Sequence, residues 1–432
     1  MNVPPPPPSR RLVIVVRADP VICGHSGEAR NLAEVALRRG YDDVRIVTWQ
    51  VPTLQASGLP LKPLDGVLPY SDGIVVERPD GVGDYKVPDG RFQAGIVGRL
   101  VELFTDGVPT VCLSLYLMPH AMAVNEARSV ASATGLPVNV TTIAEAVGSD
   151  ITNVVRSCIE ERRYGAAAHL FTTYLANDHC VAVSEYTKEL IVEAAEQIDL
   201  RFGTDFAERC EQRVGISYPA IDSSAFAEID PATLHDRLAC RGLREDGYVL
   251  FLSRITKAKG IDDLIDGYAA SHVAGDRPLV IAGAGPEADV LRARAAASSA
   301  AEHIHFFDDV DDDEKRYLMA GCSAYALPSK PRPEFIETFG IALVEKMLTG
   351  GGPVITTATG GIPEAVGEHA TIVPVGDPIA IAQALDDSIL RLDADQRFAR
   401  AAAARHYALQ FDRANVFDRL FARVDGPSSL SA

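Results

Sequence analysis

The stretch PRPEFIETFGIALVEKMLTGGGPVITTATGGIPE, residues 331–364, places a helix pattern between a loop and a strand pattern. Its apolar spacing predicts a helix over 340–348, ended by the three glycines and the proline that follow. The β-branched run 353–357 then predicts a buried strand. A succession of buried strand, helix and buried strand is typical of a parallel α/β sheet.

The rest of the chain repeats this alternation in two halves. Strands are predicted in the first half at 12–16, 44–48, 73–76, 110–115, 137–142 and 179–184, and in the second half at 248–253, 278–282, 303–307, 323–327, 353–357 and 371–375. Helices are predicted at 28–39, 94–104, 187–196, 261–270, 287–297, 312–320, 340–348 and 378–390. The pattern predicts an α/β protein with two doubly wound Rossmann-like domains that face each other across a cleft.

These patterns also give the expected domain bounds. Residues 1–11 include five consecutive prolines and predict an extended, disordered tail. Residues 12–220 form the predicted N-terminal domain and 245–398 the C-terminal domain. A last helical segment is expected over 399–424.

Length and charge limit the possible functions. The chain has 432 residues and a formal charge of −18, which suits two domains and disfavours nucleic acid or an anionic membrane as a partner. Its seven cysteines include no Cys-x-x-Cys pair and predict reduced thiols in a cytoplasmic protein. No apolar run has the length of a membrane span. We expect no cofactor, no metal and no stable membrane insertion, and leave a homo-oligomer open.

The opening stretch contains a candidate site for an elongated anionic ligand. Glu337 and Glu345 flank Phe339-Gly340 and are about 12 Å apart if the segment is fully helical. Carboxylates accept hydrogen bonds from hydroxyl groups, and the N–H groups of a first helical turn bind anions. The pattern suits two sugars joined by a diphosphate, although two solvated glutamates on a surface helix have the same spacing.

Two further elements of the second half follow predicted strands. Arg254 and Lys259 lie in the loop after 248–253, where their charges suit a diphosphate, although ordinary surface cations look the same. Gly283 and Gly285 follow 278–282 and allow a close backbone approach, for example to a nucleobase. A lone Gly-x-Gly is equally compatible with a purely structural turn.

The first half offers weaker candidates. Gly24, His25, Ser26 and Gly27 lie between a strand and a helix, as a donor-facing loop or a tight turn. His120 follows an apolar strand and is a candidate for polarising a sugar hydroxyl or binding the acceptor. Tyr186 and Lys188 follow the strand 179–184 and are candidates for lining the cleft.

The order of these motifs resembles that of the retaining glycosyltransferases of family four, which have the GT-B fold. The likeness rests on Glu337-x7-Glu345 with Phe339-Gly340, on GGIPE at 360–364, on SRITKAKG at 253–260 and on AGAGP at 282–286. The form PEFIETFG is also similar to the sucrose synthase and sucrose-phosphate synthase branch.

The resemblance implies roles for individual residues. Glu337 would bind donor-sugar hydroxyls, Glu345 the ribose, and Arg254 and Lys259 the leaving diphosphate. The phosphate-binding backbone would be Thr338, Phe339, Gly340, Ile341, Ala342 and Leu343, and the 24–27 loop would face the donor. The segment 399–424 would cross back to the N-terminal domain. Many members carry a histidine near the position of Ile143, so either a nearby residue such as His120 takes over its role or the sugar contact is made differently.

The expected function is metal-independent transfer of a hexosyl group, with retention, from a UDP- or GDP-type sugar to a hydroxyl of a soluble small-molecule acceptor. The Ala-, Arg-, Gly- and Pro-rich composition is compatible with bacterial specialised metabolism. A nucleotide-sugar epimerase, a glycoside phosphorylase and a catalytically inactive nucleotide-sugar binder remain alternatives. An epimerase would need no acceptor, and a phosphorylase would need inorganic phosphate.

Overall fold

The computed structural model describes residues 10–83, 88–333 and 335–425. The predicted tail falls mostly on residues 1–9, which lie outside the described residues, while Arg11 is already the first residue of a strand. The chain divides into two compact units, residues 1–221 with 413–432, and residues 222–412. Each unit contains one parallel sheet with helices on its faces, which confirms the predicted doubly wound α/β class.

The sheet of the first unit has seven strands among the described residues, in the order β3-β2-β1-β4-β5-β6-β7. Its strands are β1 (Arg11–Val15), β2 (Asp43–Val47), β3 (Ile74–Glu77), β4 (Thr110–Leu115), β5 (Val140–Ala146), β6 (His179–Ala182) and β7 (Val214–Ile216). The helices between them are α1 (Gly24–Arg38), α2 (Val51–Ala56), α3 (Pro88–Thr105), α4 (Met122–Ala133), α5 (Arg156–Glu160), α6 (Tyr164–Leu175), α7 (Glu185–Phe202) and α8 (Phe206–Arg213). Single π-helical turns cover Leu117–Ala121 and Asp150–Val155.

Strand β1 shows why the predicted apolar runs are buried on both faces. Leu12 and Ile14 belong to the core on the α1 side, whereas Val13 and Val15 belong to the core formed with α3 and α4. Successive side chains of a strand point to opposite faces, so a strand between two helix layers must be apolar throughout. This β1 sits at the centre of the switch in strand order, with β2 and β4 as its neighbours.

The sheet of the second unit has six strands among the described residues, in the order β10-β9-β8-β11-β12-β13. They are β8 (Val249–Leu252), β9 (Leu279–Ala282), β10 (Ile304–Phe307), β11 (Ala324–Leu327), β12 (Val354–Thr357) and β13 (Ala370–Val373). The helices are α9 (Ser224–Ala227), α10 (Pro231–Cys240), α11 (Ile261–Ala270), α12 (Ala288–Ala296), α13 (Asp312–Gly321), α14 (Ile341–Thr349), α15 (Ile362–Val366), α16 (Pro378–Asp386) and α17 (Ala394–Ala408).

The predicted single segment 399–424 is two helices. The first part belongs to α17 in the second unit, and the last helix, α18 (Arg413–Asp425), belongs to the first unit. Within that unit, Phe417 and Phe421 of α18 pack edge-on against Tyr41. No helix among the described residues is both long enough and apolar enough to cross a bilayer.

Candidate functional site

Two loops at the carboxyl edge of the second sheet are joined by backbone hydrogen bonds to the loop after β8. Ile255 N donates to Ala284 O at 2.9 Å, which joins the loops after β8 and β9. Lys330 N donates to Ala258 O at 2.8 Å, which joins the loops after β8 and β11. The loop that carries the two predicted phosphate-binding cations is therefore held between its neighbours. Ligands of open α/β sheets bind at this edge.

Lys259 and Glu337 form an ion pair across this edge, with side chains only 6% and 13% exposed. Phe335 lies beside them: its ring centroid is 5.2 Å from Lys259 Nζ and 5.7 Å from Arg254 Cζ. The fold thus brings together three of the predicted site residues around an aromatic ring that the sequence analysis missed. No local pattern in the sequence singles out Phe335.

The backbone next to Glu337 is fixed by the two glycines of the GGIPE motif. Gly361 N donates to Glu337 O at 2.9 Å. A Cβ at Gly360 would lie 2.0 Å from Glu337 O, and one at Gly361 would lie 2.0 Å from Thr338 O. Because no side chain fits at those distances, only glycine allows the two segments to lie so close.

Helix α14 supplies the predicted anion-binding tip. Gly340 precedes it with φ of 110°, a conformation that favours glycine, and Leu343 N donates back to Gly340 O at 2.9 Å. Phe339 is buried with its ring 5.0 Å from that of Phe411, so it anchors the tip. The predicted phosphate-binding backbone Thr338, Phe339, Gly340, Ile341, Ala342 and Leu343 thus spans the entry and first turn of this helix.

Glu345 is paired with a residue that the sequence analysis did not single out. Lys315 of α13 lies 2.5 Å from the Glu345 carboxylate, and the two side chains are 22% and 15% exposed. No local pattern predicts this contact, because Lys315 follows an acidic run and looks like an ordinary helix-surface cation. A ribose hydroxyl at Glu345 would share the carboxylate with Lys315.

The Gly-x-Gly after β9 has a structural explanation. A Cβ at Gly283 would lie 2.1 Å from Ser253 O, and a Cβ at Gly285 would lie 2.1 Å from Ile255 O. The two glycines therefore allow the close approach of the segment that carries Arg254. Their contact with a nucleobase stays a prediction.

In the first unit, the segment 24–27 is the first turn of α1, not a loop before it. Cys23 is the N-cap, and its Sγ accepts a hydrogen bond from Ser26 N at 3.3 Å. The predicted helix started at Glu28, four residues late, because cysteine is not among the usual N-cap residues. Gly24, His25, Ser26 and Gly27 therefore lie at a helix N-terminus that follows β1.

His25 lies next to two buried carboxylates. Its Nδ1 donates to Glu28 Oε2 at 2.9 Å and lies 3.9 Å from Glu145 Oε1. Glu145 is fully buried, and neither carboxylate oxygen has a hydrogen-bond partner among the described residues. Burial, with Glu28 and Asp150 nearby, raises its pKa well above the usual value. One ligand atom from each of His25, Glu28 and Glu145 lies within 4.8 Å of the others.

Strand β5 extends further than predicted and places Glu145 at the carboxyl edge. The predicted strand 137–142 stops before the polar Glu145, whereas the observed strand is Val140–Ala146. Ile143, the position where the family resemblance expects a histidine, is a fully buried residue within the strand. Buried carboxylates are uncommon, so a glutamate in this segment favoured a predicted strand that ends before it.

His120 is buried between aromatic rings. Its ring centroid is 4.8 Å from that of Trp49 and 5.4 Å from that of Tyr116, and neither ring nitrogen has a hydrogen-bond partner among the described residues. Burial lowers its pKa to about 3, so the imidazole is neutral at physiological pH. A neutral imidazole suits a hydroxyl group and not a phosphate. The predicted role of His120 stays a prediction.

Lys188 lies near the start of α7, 3.6 Å from Glu211 of α8, and so links two helices of the first unit. Tyr186 is in the first turn of α7 and is partly buried. Their predicted place in a ligand cleft stays a prediction.

The chain has the fold of GT-B glycosyltransferase structures, and its second unit is similar in sequence to glycosyltransferases. Residues 242–405 match the family described as glycosyl transferases group 1. The GDP-mannose-dependent α-(1-6)-phosphatidylinositol monomannoside mannosyltransferase of Mycolicibacterium smegmatis is 31% identical over 198 residues, 44% of this chain and 50% of the relative. The chain spans about half the length of the curated relatives it matches.

Two solved structures show the same fold over nearly the whole chain. Anabaena HepE, solved in complex with UDP and glucose, has a TM-score of 0.67 at 17% identity, with 96% of this chain and 99% of that chain covered. Sucrose-phosphate synthase of Thermosynechococcus elongatus has a TM-score of 0.64 at 17% identity, with 96% and 98% covered. At this identity, the likeness concerns the fold alone.

Proposed function

We propose that the protein transfers a hexosyl group, with retention, from a UDP- or GDP-type sugar to a hydroxyl of a small-molecule acceptor. The observation that carries this proposal is the cluster of Arg254, Lys259 and Glu337 beside the N-terminus of α14. Two cations, a helix tip and a carboxylate at one edge of a sheet suit a sugar diphosphate, which has a dianionic linker and hydroxyl groups.

The proposed chemistry separates charge at the donor. The bond between the anomeric carbon and the diphosphate oxygen breaks, and its electron pair stays on that oxygen. Arg254, Lys259 and the first amides of α14 stabilise the charge that develops there, in a site arranged before the reaction begins. The acceptor hydroxyl forms the new bond on the same face, and its proton passes to the departing phosphate oxygen. Neither a nucleophile of the enzyme nor a metal enters this scheme.

The Lys259–Glu337 pair gives both side chains a partner in the free protein. On donor binding, we expect Lys259 to turn to the diphosphate and Glu337 to accept hydrogen bonds from sugar hydroxyls. The attraction between two buried charges that pair with each other offsets part of the desolvation cost that each would have alone. The pair would therefore keep the empty site stable until the ligand replaces it.

Replacement of Lys259 tests the proposal against a matched control in the same loop. Lys257 has the same charge two residues earlier, but it is 64% exposed and lies 3.9 Å from Glu287. We expect K259A to lower kcat/KM for transfer by at least about 100-fold, as removal of one charge-stabilising donor does in other enzymes. K257A should stay close to the unmutated protein. The measurement is nucleotide release and product mass with UDP- and GDP-sugars over an acceptor panel.

Equal activity of K259A and the unmutated protein, with both folded, would contradict the proposed site. Absence of transfer and donor hydrolysis in the unmutated protein, with tight nucleotide binding, would favour an inactive binder. Thermal-shift measurements with uridine, guanosine and adenosine diphosphates identify the preferred nucleotide, because a ligand of the folded state raises its stability.

A further inference from the structure

Three side chains of the first unit meet where α1 begins and β5 ends. His25 and Glu28 are three residues apart in α1 and share one face of the helix, and Glu145 is the last residue but one of β5. His25 Nδ1 lies 2.9 Å from Glu28 Oε2 and 3.9 Å from Glu145 Oε1. The expectation of no metal rested on local sequence spacing, which does not show this cluster because Glu145 is far from the other two residues in sequence.

Glu145 is buried in this cluster without a hydrogen-bond partner. The residue is 0% exposed, and neither of its carboxylate oxygens has a partner among the described residues. A buried carboxylate that no group contacts costs free energy, because its hydration in water is not replaced. Since Oε1 lies on the side of His25, a cation between the two side chains would contact the carboxylate.

The described residues do not supply that cation. No Lys or Arg nitrogen of theirs lies within 4.0 Å of a carboxylate oxygen of Glu28 or Glu145, and the ion-pair partner of both is His25. Asp150 is a third buried acidic residue nearby, but its Oδ2 already accepts two backbone hydrogen bonds. When ionised, Glu28 and Glu145 have a total charge of −2, which one divalent ion neutralises. Buried charges in proteins are paired with one another or coordinate a metal.

The segments that hold the three side chains are closely packed. Ala29 of α1 and Ile143 of β5 belong to the same buried core. Glu28 Oε1 accepts a hydrogen bond from Ala220 N at 3.1 Å, while Oε2 accepts one from His25. Hydrogen bonds that orient a carboxylate in this way are typical of the surroundings of metal sites.

The spacing of the ligand atoms suits a small ion. One ligand atom from each of the three residues lies within 4.8 Å of the others. Ligand atoms at about 2.0–2.2 Å from a tetrahedral zinc ion are about 3.3–3.6 Å apart. The two distances from His25 Nδ1, 2.9 Å and 3.9 Å, fall on either side of that range, so small side-chain movements would bring the three atoms onto one ion.

We propose that His25, Glu28 and Glu145 bind one divalent transition-metal ion, with zinc as the best match, and that this ion ties the start of α1 to the end of β5. One imidazole nitrogen and two carboxylate oxygens suit Zn²⁺, whereas Mg²⁺ and Ca²⁺ prefer oxygen ligands. His25 Nδ1 would release its proton to solvent when it contacts the ion. The His25 side chain is 17% exposed, which gives the ion a path from solvent. The role is structural and lies beyond the proposed transfer, in which no metal takes part.

The full chain tests this inference after a chelator has been added and then removed. The probe is ZnCl₂, followed by calorimetry, by the metal content of the dialysed protein and by melting temperature. We expect one Zn²⁺ per chain and a melting temperature that rises with Zn²⁺, because the ion binds the folded state. MgCl₂ at the same concentrations should not raise the melting temperature. E145Q and H25Q should each bind Zn²⁺ at least about tenfold more weakly than the unmutated protein.

H272Q is the matched control. His272 also pairs with a carboxylate, that of Asp386 at 2.7 Å, but its side chain is 86% exposed and lies in the second unit. We expect H272Q to bind Zn²⁺ as tightly as the unmutated protein. Loss of binding in H272Q, with E145Q and H25Q unaffected, would overturn the inference because the ion would then bind at the surface of the second unit.

Two further results would overturn the inference. One is the absence of stoichiometric Zn²⁺ binding in the unmutated protein. The other is equal Zn²⁺ binding by E145Q, H25Q and the unmutated protein, because the ion would then lie elsewhere, for example at the exposed Cys240. Circular dichroism shows whether each variant is folded, and each of the two variants is a test by itself if the other does not fold. Neither metal content nor melting temperature depends on sugar transfer, so this inference and the proposed function can fail separately.

Discussion

Lys259 and Glu337 are 78 positions apart in sequence, and their contact depends on two loops that leave neighbouring strands at the same edge. Each residue type was predictable from its local motif, but their pairing was not. The same holds for Glu345 and Lys315. In the ligand-free protein, each of these carboxylates is already paired with a lysine. A ligand that binds either carboxylate must therefore compete with that lysine.

The raised pKa of the buried Asp150 leads to a prediction about how stability depends on pH. It is fully buried, and its Oδ2 accepts hydrogen bonds from Leu117 N at 3.0 Å and Val147 N at 3.2 Å. Desolvation outweighs these bonds and raises its pKa from 3.8 to about 7. A carboxyl group with a raised folded-state pKa stabilises the fold below its unfolded pKa, and this contribution is lost as the pH rises through 7.

We therefore expect D150N, which keeps an accepting oxygen and cannot ionise, to be less sensitive to pH than the unmutated protein. Between pH 5 and 8, the unmutated protein should lose up to about 3 kcal/mol of unfolding free energy relative to D150N. Urea unfolding at several pH values measures the difference. Parallel curves for both proteins would contradict the raised pKa.

Local sequence patterns predicted most of the helices and strands that position the candidate site. Helix 340–348 and strand 353–357 were each within a residue of α14 and β12. The errors have physical causes: Cys23 caps α1 with sulfur, and β5 continues through the buried Glu145. Helices α4 and α6 were not among the predicted helices.

The close contact between the GGIPE motif and the segment before α14 predicts that a side chain at Gly361 would disturb the site. Gly361 has φ of −82°, a backbone conformation that alanine adopts without strain. The Cβ of an alanine at this position would, however, lie 2.0 Å from Thr338 O. G361A should displace the Glu337–Thr338 backbone, lower donor affinity at least about tenfold, and destabilise the second unit by about 1–3 kcal/mol, as overpacking does.

The control is G98A in α3, where a Cβ meets nothing within 4 Å. An alanine at that exposed helical site should leave donor binding unchanged and stabilise the protein by about 0.5–1 kcal/mol. Nucleotide titration and urea unfolding measure both quantities. Normal donor affinity in G361A would show that the close backbone approach is not needed for the site.

At the scale of the whole molecule, the chain returns at its end to the first unit, because α18 packs there and not with the second unit that precedes it in sequence. Phe417 and Phe421 of α18 stack with ring centroids 4.0 Å apart and complete the core next to α1. F417A should destabilise the first unit by about 3–5 kcal/mol, since it empties a buried aromatic site. F398A changes a side chain that is 77% exposed on α17 and should cost less than about 0.5 kcal/mol.

Hydrogen exchange of peptides from β1 and α1 measures the stability of the first unit separately, because a protein of two units need not unfold in one step. A loss of protection in F398A equal to that in F417A would contradict this account of α18.

Removal of metal ions tests the proposed neutralisation of the donor diphosphate by side chains and backbone of the protein. Since Arg254, Lys259 and the α14 tip are proposed to neutralise the diphosphate, we expect full activity after treatment with a chelator. The rate of nucleotide release with and without chelator, followed by metal add-back, measures this. A strict requirement for a divalent ion would contradict the scheme. His25, Glu28 and Glu145 would then be the first ligands to substitute.

The order of residues alone was enough to predict two α/β halves, the helix tip at Gly340 and the placement of Arg254 and Lys259 after a strand. Such features depend on periodicity and on spacing within about ten residues, which are local properties. The folded chain was needed to find the partners: Lys259 with Glu337, and Glu345 with Lys315. Those contacts join segments far apart in sequence, so the packing of the sheets, not any local pattern, determines them.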